Sequence, residues 1–551
     1  MMRKACAALL AMTMCTSLLA GCGNTTETKG SEAKSESQST AASASATQKE
    51  SVDTVEEFTY PMETDVTLDM FAGSFFGLAS TETDYKNSQF WQWMCERTGV
   101  TVDMEYTPTG GDAKQTLNLI LADPKTMPNL VGNIKLVDAE EYINDGVILD
   151  LTPYLEEYAP NYWARLQDPA NEEIRRALTT DTGKIGVFGC WREEDWGKNF
   201  RGLMLRKDIL DKEGLDVPET MEDWENVLTV MKEKYGLQFT STLGFFNPGF
   251  ASGTGAYNTI YGNMIIEDGE VKYSHLQPEW EELMTIMSDW YDAGLIDPDI
   301  LTNTDDELTT KVYNDKAGVV FGPLSRVTRY VNNAEATGNG QEWIGVSYPV
   351  VNEGEKACMI QFEAATRDAG VAIAANCSEE EIITACRFLD YFYTDEGIEF
   401  ANFGNEGESY TKDENGNHEW TALVTEDPDG LANALQKYTT AGGINVGIQL
   451  TEFVQDRNHP MGVAAVDAWV ANQEASKHYY PLVSFTDDEA KEKTNLETAI
   501  STYVQESSMK FLIGDMDIET DYDEFINTLK SMQIERLIEI YQTAYDRYKA
   551  R

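Results

Sequence analysis

Between Cys22 and Phe58 the chain carries no aromatic residue, and this gap constrains everything on either side of it. Residues 23–57 are dominated by Ser, Thr, Ala, Glu, Gln and Lys. Such a stretch cannot bury enough apolar surface to offset the entropy of ordering it, so it reads as a flexible linker. About 35 residues of this kind reach roughly 30 Å root-mean-square. A packed fold is therefore expected only after it, from about Phe58 to Arg551. That length is too great for one ordinary core and calls for two or three domains.

The residues before the gap have a different character. Arg3 and Lys4 make a short positive start, Ala5 to Leu19 is an apolar run, and Leu19-Ala20-Gly21-Cys22 closes it. That order reads as an export signal over 1–21. The run is too short and too rich in Ala, Thr and Ser for a membrane span, which needs about 20 apolar residues. The form Leu-Ala-Gly-Cys resembles the lipobox of bacterial lipoproteins. The resemblance implies that Cys22 becomes the mature N-terminus and carries lipid. The chain would then sit on the outer face of the cell membrane, with 22–57 as lipidated Cys and tether.

Apolar content of 42% and aromatic content of 11% describe a globular protein. The formal charge is −52, and loss of Arg3 and Lys4 with the signal takes it to −54. Such a charge argues against nucleic acid or an anionic membrane as partner. Of eight cysteines, Cys95, Cys190, Cys358, Cys377 and Cys386 remain in the folded part. None shows metal or redox spacing, so buried apolar thiols are expected. The four histidines, at 275, 418, 459 and 478, are scattered. No metal and no cofactor is expected.

Along the folded part, strand and helix signals alternate. Val66–Phe71 alternates as a half-buried strand does, and the loop 72–77 follows it. A helix is expected over about 88–98, a strand over 100–106, a helix over 113–121 and a short strand at 129–131. Gly183–Gly189 reads as a turn and strand entering a second domain, and Leu203–Arg206 as a buried strand. Thr220 should cap a helix to about Lys234, and Pro278 should open one ending at Ala293-Gly294. Further strands are expected at 317–323, 345–350 and 370–374, and a helix at 379–393. A helical pair over 523–549 should break near Met532. This is an α/β pattern, in which ligands bind at the carboxyl ends of strands.

Five stretches, in order, carry a resemblance: LDLTPYLEEYAPN (149–161), LMLRKDILDKEGLDVPETMEDWENVL (203–228), EWEELMTIMSDWYDAGLIDPD (279–299), FLDYFYTDEGIEFANFGNEGESYTKDENGNHEWT (388–421) and YDEFINTLKSMQIERLIEIYQTAYDRYKA (522–550). Together the set resembles family 1 of the extracellular solute-binding proteins, in particular large lipoproteins of the LipO and alginate-oligosaccharide-binding type. The resemblance implies a two-lobed type 2 periplasmic-binding fold, α/β, with a ligand cleft between lobes. One lobe would be 64–182 plus 362–425, and the other 183–361 plus 426–551. It further implies a monomeric, non-enzymatic receptor that captures an oligosaccharide and delivers it to the membrane permease of an ABC importer. Relatives often carry a calcium loop after the helix ending near Lys234. Here Lys234-Tyr235-Gly236-Leu237-Gln238 lacks the carboxylates calcium needs, and no calcium is expected there.

A sugar site needs flat apolar platforms for ring faces and polar groups for hydroxyls. Trp191, Glu193 and Trp196 lie in a loop just after a strand, where the resemblance places binding residues. Ser74, Phe75 and Phe76 end the first strand. Asn133 follows the third strand. Ser325 and Arg326 follow the turn Phe321-Gly322-Pro323-Leu324. Tyr257 and Tyr261 sit in a Gly/Asn-rich loop, and Glu363 and Arg367 precede the return strand. Each has a bland alternative: packed aromatics at a lobe boundary, or surface ion pairs in a very acidic chain. Two rival functions stay open. A surface glycoside hydrolase would need two carboxylates about 5 Å or 6.5–9.5 Å apart, which 94 acids supply by chance. A glycan-binding or sensing lipoprotein without transport is the other.

Overall fold

A computed structural model of the chain describes residues 58–73, 88–107, 112–192, 194–242, 249–257, 264–361, 363–440, 444–473 and 475–551. Among these residues no helix is long and apolar enough to cross a membrane. Thr59–Arg551 forms one compact unit.

The strands, in chain order, are β1 (Thr67–Gly73), β2 (Thr101–Tyr106), β3 (Leu130–Lys135), β4 (Phe188–Trp191), β5 (Arg201–Arg206), β6 (Gln238–Thr240), β7 (Met264–Glu267), β8 (Glu270–Tyr273), β9 (Ala317–Pro323), β10 (Trp343–Val346), β11 (Thr366–Ile373), β12 (Tyr410–Lys412), β13 (His418–Trp420) and β14 (Gly447–Ile448). Two sheets dominate. The first has six strands in the order β14-β4-β11-β3-β1-β2, and the second four, β10-β5-β9-β6. Hairpins β7-β8 and β12-β13 stand apart.

Local sequence accounts for most helices. Thr220 accepts from Asp223 N and the Asp223 carboxylate accepts from Thr220 N, a reciprocal cap that starts the helix Met221–Tyr235. Pro278 sits at the first turn of Pro278–Asp292, where its missing N–H costs nothing. The C-terminal pair breaks at Met532 and Gln533 into Ile518–Ser531 and Ile534–Lys549. Between them and β14 runs a 26-residue helix, Asp487–Leu512, started by a Thr486–Glu489 box.

Each sheet has its own core. Leu68, Met70, Phe90, Leu130, Val371 and Phe388 belong to the first, with Trp191. Leu203, Phe239, Val320, Trp290, Trp469 and Leu537 belong to the second. The architecture is α/β in two lobes.

The expected lobe limits need one correction. Residues 183–191 were placed in the second lobe, and so was everything after 426. But β4 pairs with β11 (Thr366 opposite Trp191) and with β14 (Ile448 opposite Trp191), so both strands complete the first sheet. Backbone ladders decide membership, and both partners of β4 lie far along the chain. The five cysteines are all free thiols; Cys386 is buried and the others half-buried.

Candidate functional site

Strand direction places one polar edge on each sheet. In the first, β1 runs parallel to β3, and β14 parallel to β4, while β11 is antiparallel to both β3 and β4. The carboxyl ends of β1, β3, β4 and β14 therefore share an edge with the start of β11. In the second, β6 is parallel to β9, and β5 is antiparallel to β9 and β10. There the ends of β6, β9 and β10 share an edge with the start of β5.

Three segments cross from one edge to the other. Residues 192–200 lead from the end of β4 to the start of β5, and 347–365 from the end of β10 to the start of β11. The third leaves β14 through the helix Thr451–Asp456 into Pro460–Val470, which packs on the second sheet. Two glycines allow that approach. A Cβ at Gly345 would lie 2.2 Å from the Ala465 Cβ, and one at Gly202 would lie 2.4 Å from the Trp469 ring. Trp469 Nε1 donates to Leu203 O at 2.9 Å.

Arg192 joins all three crossings. Its Nε donates to Gln449 Oε1 at 2.9 Å, and its Nη1 to Glu363 Oε2 at 2.9 Å and to Gly197 O at 3.0 Å. Glu363 N donates to Lys198 O at 3.2 Å, and Gln449 N to Trp191 O at 2.9 Å. Arg367 stands 3.8 Å from the same Glu363 carboxylate. Arg457, capping the helix Thr451–Asp456, lies with its guanidinium 5.2 Å from the Phe453 ring centre. Burial, with the charges of Arg367 and Arg192 adding to it, pushes that guanidinium down to about 10.

The structure separates the residues expected at the site. Trp191 is corrected: it is 0% exposed, stacked on Tyr393 at 5.1 Å and tilted against Tyr162, and its ring offers no free face. Trp196 is half-buried on the first crossing, and its Nε1 donates to Asp467 Oδ1 at 2.9 Å. Glu363 is at the hub just described. Asn133 is corrected in place: it lies within β3, not after it, with φ 64°, and accepts from Asn445 Nδ2 at 3.0 Å. Ser325 is exposed, in the first turn of the helix Leu324–Thr337 after β9. Arg326 is corrected as a ligand fork: it is buried, donates to Phe321 O at 3.0 Å and pairs with Asp305. Tyr257 is corrected too. It is buried in a small cluster with Ile265 and Ile360, its hydroxyl 3.1 Å from His478 Nδ1. Ser74, Phe75, Phe76, Glu193, Tyr261 and Cys22 lie outside the described residues.

Sequence reasoning passed over Arg192, Gln449 and Arg457. A signal for the first was present, a cation next to Trp191 in a loop already singled out. Alternation along β4 turns neighbouring side chains to opposite faces, so the residue after a core tryptophan faces away from the core.

The sequence profile of bacterial extracellular solute-binding proteins matches residues 79–399. The chain belongs to this family. It is 22% identical over 531 residues to the fructooligosaccharide ABC transporter substrate-binding protein FusA of Streptococcus pneumoniae, covering 90% of this chain and 93% of that one. It is 25% identical over 266 residues to the lipoprotein LipO of Bacillus subtilis, spanning 46% of this chain and half of LipO. An HMO-binding, ABC-transporter-associated solute-binding protein of Bifidobacterium longum infantis superposes with TM-score 0.70 at 18% identity. It covers 88% of this chain and 99% of that one. The fold is thus that of solute-binding proteins, with the family's two lobes.

Proposed function

We propose that the chain is the substrate-binding lipoprotein of an ABC importer. It captures an oligosaccharide between the two sheet edges and presents it to a membrane permease. In this reading Cys22 carries the lipid, residues 23–57 are the tether, and the receptor works as a monomer without catalysis. The observation that carries it is the meeting of three crossings at Arg192. Two lobes joined through such crossings can close like a hinge, and a closing hinge traps a solute. FusA is named for fructooligosaccharide and the Bifidobacterium protein for HMO, which supports a sugar as the solute here. Trp196 and Phe200 on the first crossing, both half-buried, supply apolar surface of the kind a sugar face needs.

The test is thermal unfolding of the full chain against a panel of neutral and acidic oligosaccharides. A ligand bound by the native state alone raises the melting temperature by mass action. A panel that raises it nowhere, with no product formed from any sugar, would remove the carbohydrate reading. Cys22→Ala should release the protein from membranes without detergent; a variant that stays bound would remove the lipid anchor.

A further inference from the structure

The ring of His418, on β13, is held between two carboxylates that belong to different parts of the hinge. Its Nε2 lies 2.9 Å from Glu399 Oε1, on the helix Asp395–Phe403. Its Nδ1 lies 2.9 Å from Glu452 Oε2, and its backbone N donates to Glu452 Oε1 at 3.1 Å. Glu452 is on the helix Thr451–Asp456, the third crossing, which leads to Arg457 at the hub. Ile398, Phe400 and Ala401 of the first helix pack in the first core, while Phe453 of the second packs in the other. The ring thus spans a helix of one lobe and a segment leaving for the other. It is 11% exposed and lies flat on Phe403, with ring centres 3.7 Å apart and planes 1° from parallel.

A neutral imidazole carries one N–H and one lone pair, and a lone pair facing a carboxylate oxygen makes no bond. Both contacts are hydrogen bonds only when both nitrogens carry protons, so the bridge exists in the imidazolium form. A second tie to the same helix involves no titrating group. Asn402 accepts from Leu450 N at 3.0 Å and donates to Ile448 O at 2.8 Å, and so holds the start of the crossing at any pH. Further along, Glu452 is tied through His418, and Phe453 stands edge-on to Phe403 and Trp420.

We propose that His418 is a proton-operated clamp on the third crossing. Charged, it bridges Glu399 and Glu452 and fixes the crossing to the first lobe. Neutral, it holds one of them, and the crossing gains freedom to swing. The hinge is then stiffer in acid surroundings and looser in alkaline ones. The inference rests on the hinge reading above for its consequence, but the bridge is tested without any solute, so its failure leaves that reading standing.

The other charged neighbours come from each packed element. On the hairpin, Lys412 pairs with Glu399, and that bond pushes its ammonium up. Burial and the same carboxylate push the Tyr410 hydroxyl up, with Glu406 adding its charge to both. Burial raises the Glu399 carboxyl, but the Lys412, His418 and Tyr410 bonds outweigh it and hold it low. On the crossing helix, partial desolvation and the charge of Glu452 raise Asp456 to about 6, against the charge of His418. Asp456 therefore also titrates near neutral pH, and a variant must separate it from the ring.

Amide hydrogen exchange of the detergent-solubilised full chain tests it, read by mass spectrometry from about pH 5 to about 9.5 and divided by the intrinsic rate at each pH. Imidazole nitrogen NMR follows the ring's own proton over the same range, with His418→Gln to assign it. Protection of residues 449–458 should fall roughly fivefold or more as the ring loses its proton, with the same midpoint. The helix Met221–Tyr235 serves as reference and should not change. His418→Gln, whose amide has donors on one side and an acceptor on the other, mimics the neutral ring. It should show the low protection at every pH. Asp456→Asn should keep the pH dependence of the unmodified chain. Protection of 449–458 that is constant across the range, or that changes away from the ring's midpoint, overturns the clamp. So does a pH dependence that survives in His418→Gln or disappears in Asp456→Asn. The comparison of midpoints in the unmodified chain decides the matter even where a variant does not fold.

Discussion

Arg551 donates from Nη2 to Asp181 Oδ1 at 2.7 Å across 370 positions of sequence. Asp181 lies in a turn of the first lobe, between Leu178 and Ile185 of its core. Arg551 follows the helix Ile534–Lys549, whose Leu537 and Tyr541 pack in the second core. Arg547 reaches the same carboxylate from Nε at 3.1 Å and also holds Glu489 through two bonds, at 2.8 and 2.6 Å. This ionic contact ties the lobes together in addition to the three crossings.

Asp181→Asn should therefore destabilise the protein. Arg551 is 3% exposed and Asp181 18%, so the variant leaves guanidinium charge uncompensated, at a cost of about 2–3 kcal/mol. Burial raises the Asp181 carboxyl, but the Arg551 and Arg547 bonds outweigh it and hold the group below the usual range. A depressed acid contributes stability above its unfolded pKa of about 3.9 and loses it as pH falls through the folded value. The gap between wild type and variant should be full at pH 7 and shrink below about pH 4. Equal melting temperatures at pH 7 would show that the contact contributes nothing.

Asp390 should behave in the opposite sense. It is buried and accepts from Tyr162 N and Asn161 Nδ2, both at 2.7 Å. Burial nevertheless raises it to about 6. A raised acid contributes stability that is complete below its unfolded pKa and is lost as pH rises through the folded one. The loss falls between about pH 4 and 6 and amounts to roughly 3 kcal/mol at most. Asp390→Asn keeps an acceptor for Tyr162 N and cannot ionise. Urea unfolding of both forms across this window should show wild type losing ground to the variant as pH rises. A constant difference would place the Asp390 titration elsewhere.

Trp191 shows how far the sequence reaches. A strand close to Trp191 was legible, though read over 183–189 where the structure has Phe188–Trp191, and so were the Thr220 cap, the Pro278 start and the break at Met532, because each depends on residues within a few positions. What covers the tryptophan was not legible. Tyr162 and Tyr393 close over its ring, and β11 and β14 flank its backbone, all set by long-range pairing. Local alternation separates two faces of a strand without saying which one another element will bury. Thus the loop 190–196 marks the lobe junction, but its tryptophan faces the core while Arg192 binds the crossings. Trp191→Ala should cost about 3–5 kcal/mol of folding stability, the range for emptying an aromatic core site. Loss of ligand affinity with a native melting temperature would contradict this placement.

Chelation should leave the melting temperature unchanged. After the helix Met221–Tyr235, Gly236 turns the chain with φ 69°, and Gln238 Nε2 donates to Gly294 O and Ile296 O at 2.8 and 3.0 Å. The segment supplies an amide donor and no carboxylate, where calcium would need six to eight oxygens. A fall of several degrees in chelator would reveal a metal bound elsewhere in the native state.

Close to β6, a lysine gathers oxygens in the way a cation does. Lys311 Nζ lies 2.9 and 2.7 Å from the two oxygens of Asp297, 3.0 Å from Asp299 Oδ2 and 2.8 Å from Asn303 Oδ1. Asp297 also accepts from Thr240 Oγ1 at 2.5 Å and from Asn303 Nδ2 at 2.9 Å. Its side chain is 6% exposed, so without the ammonium it would be a nearly buried, uncompensated charge. Burial raises the Asp297 carboxyl, and the Lys311, Thr240 and Asn303 bonds reverse this and hold it low. Lys311→Met should cost about 3 kcal/mol. In Lys311→Met with Asp297→Asn the orphan charge is gone, and part of that loss should return, because the penalty lies in the unpaired carboxylate. A double-mutant cycle by urea unfolding measures the coupling. Strictly additive losses would mean that Lys311 and Asp297 stabilise the fold independently, and that the ammonium does not serve as the cation of this acidic loop.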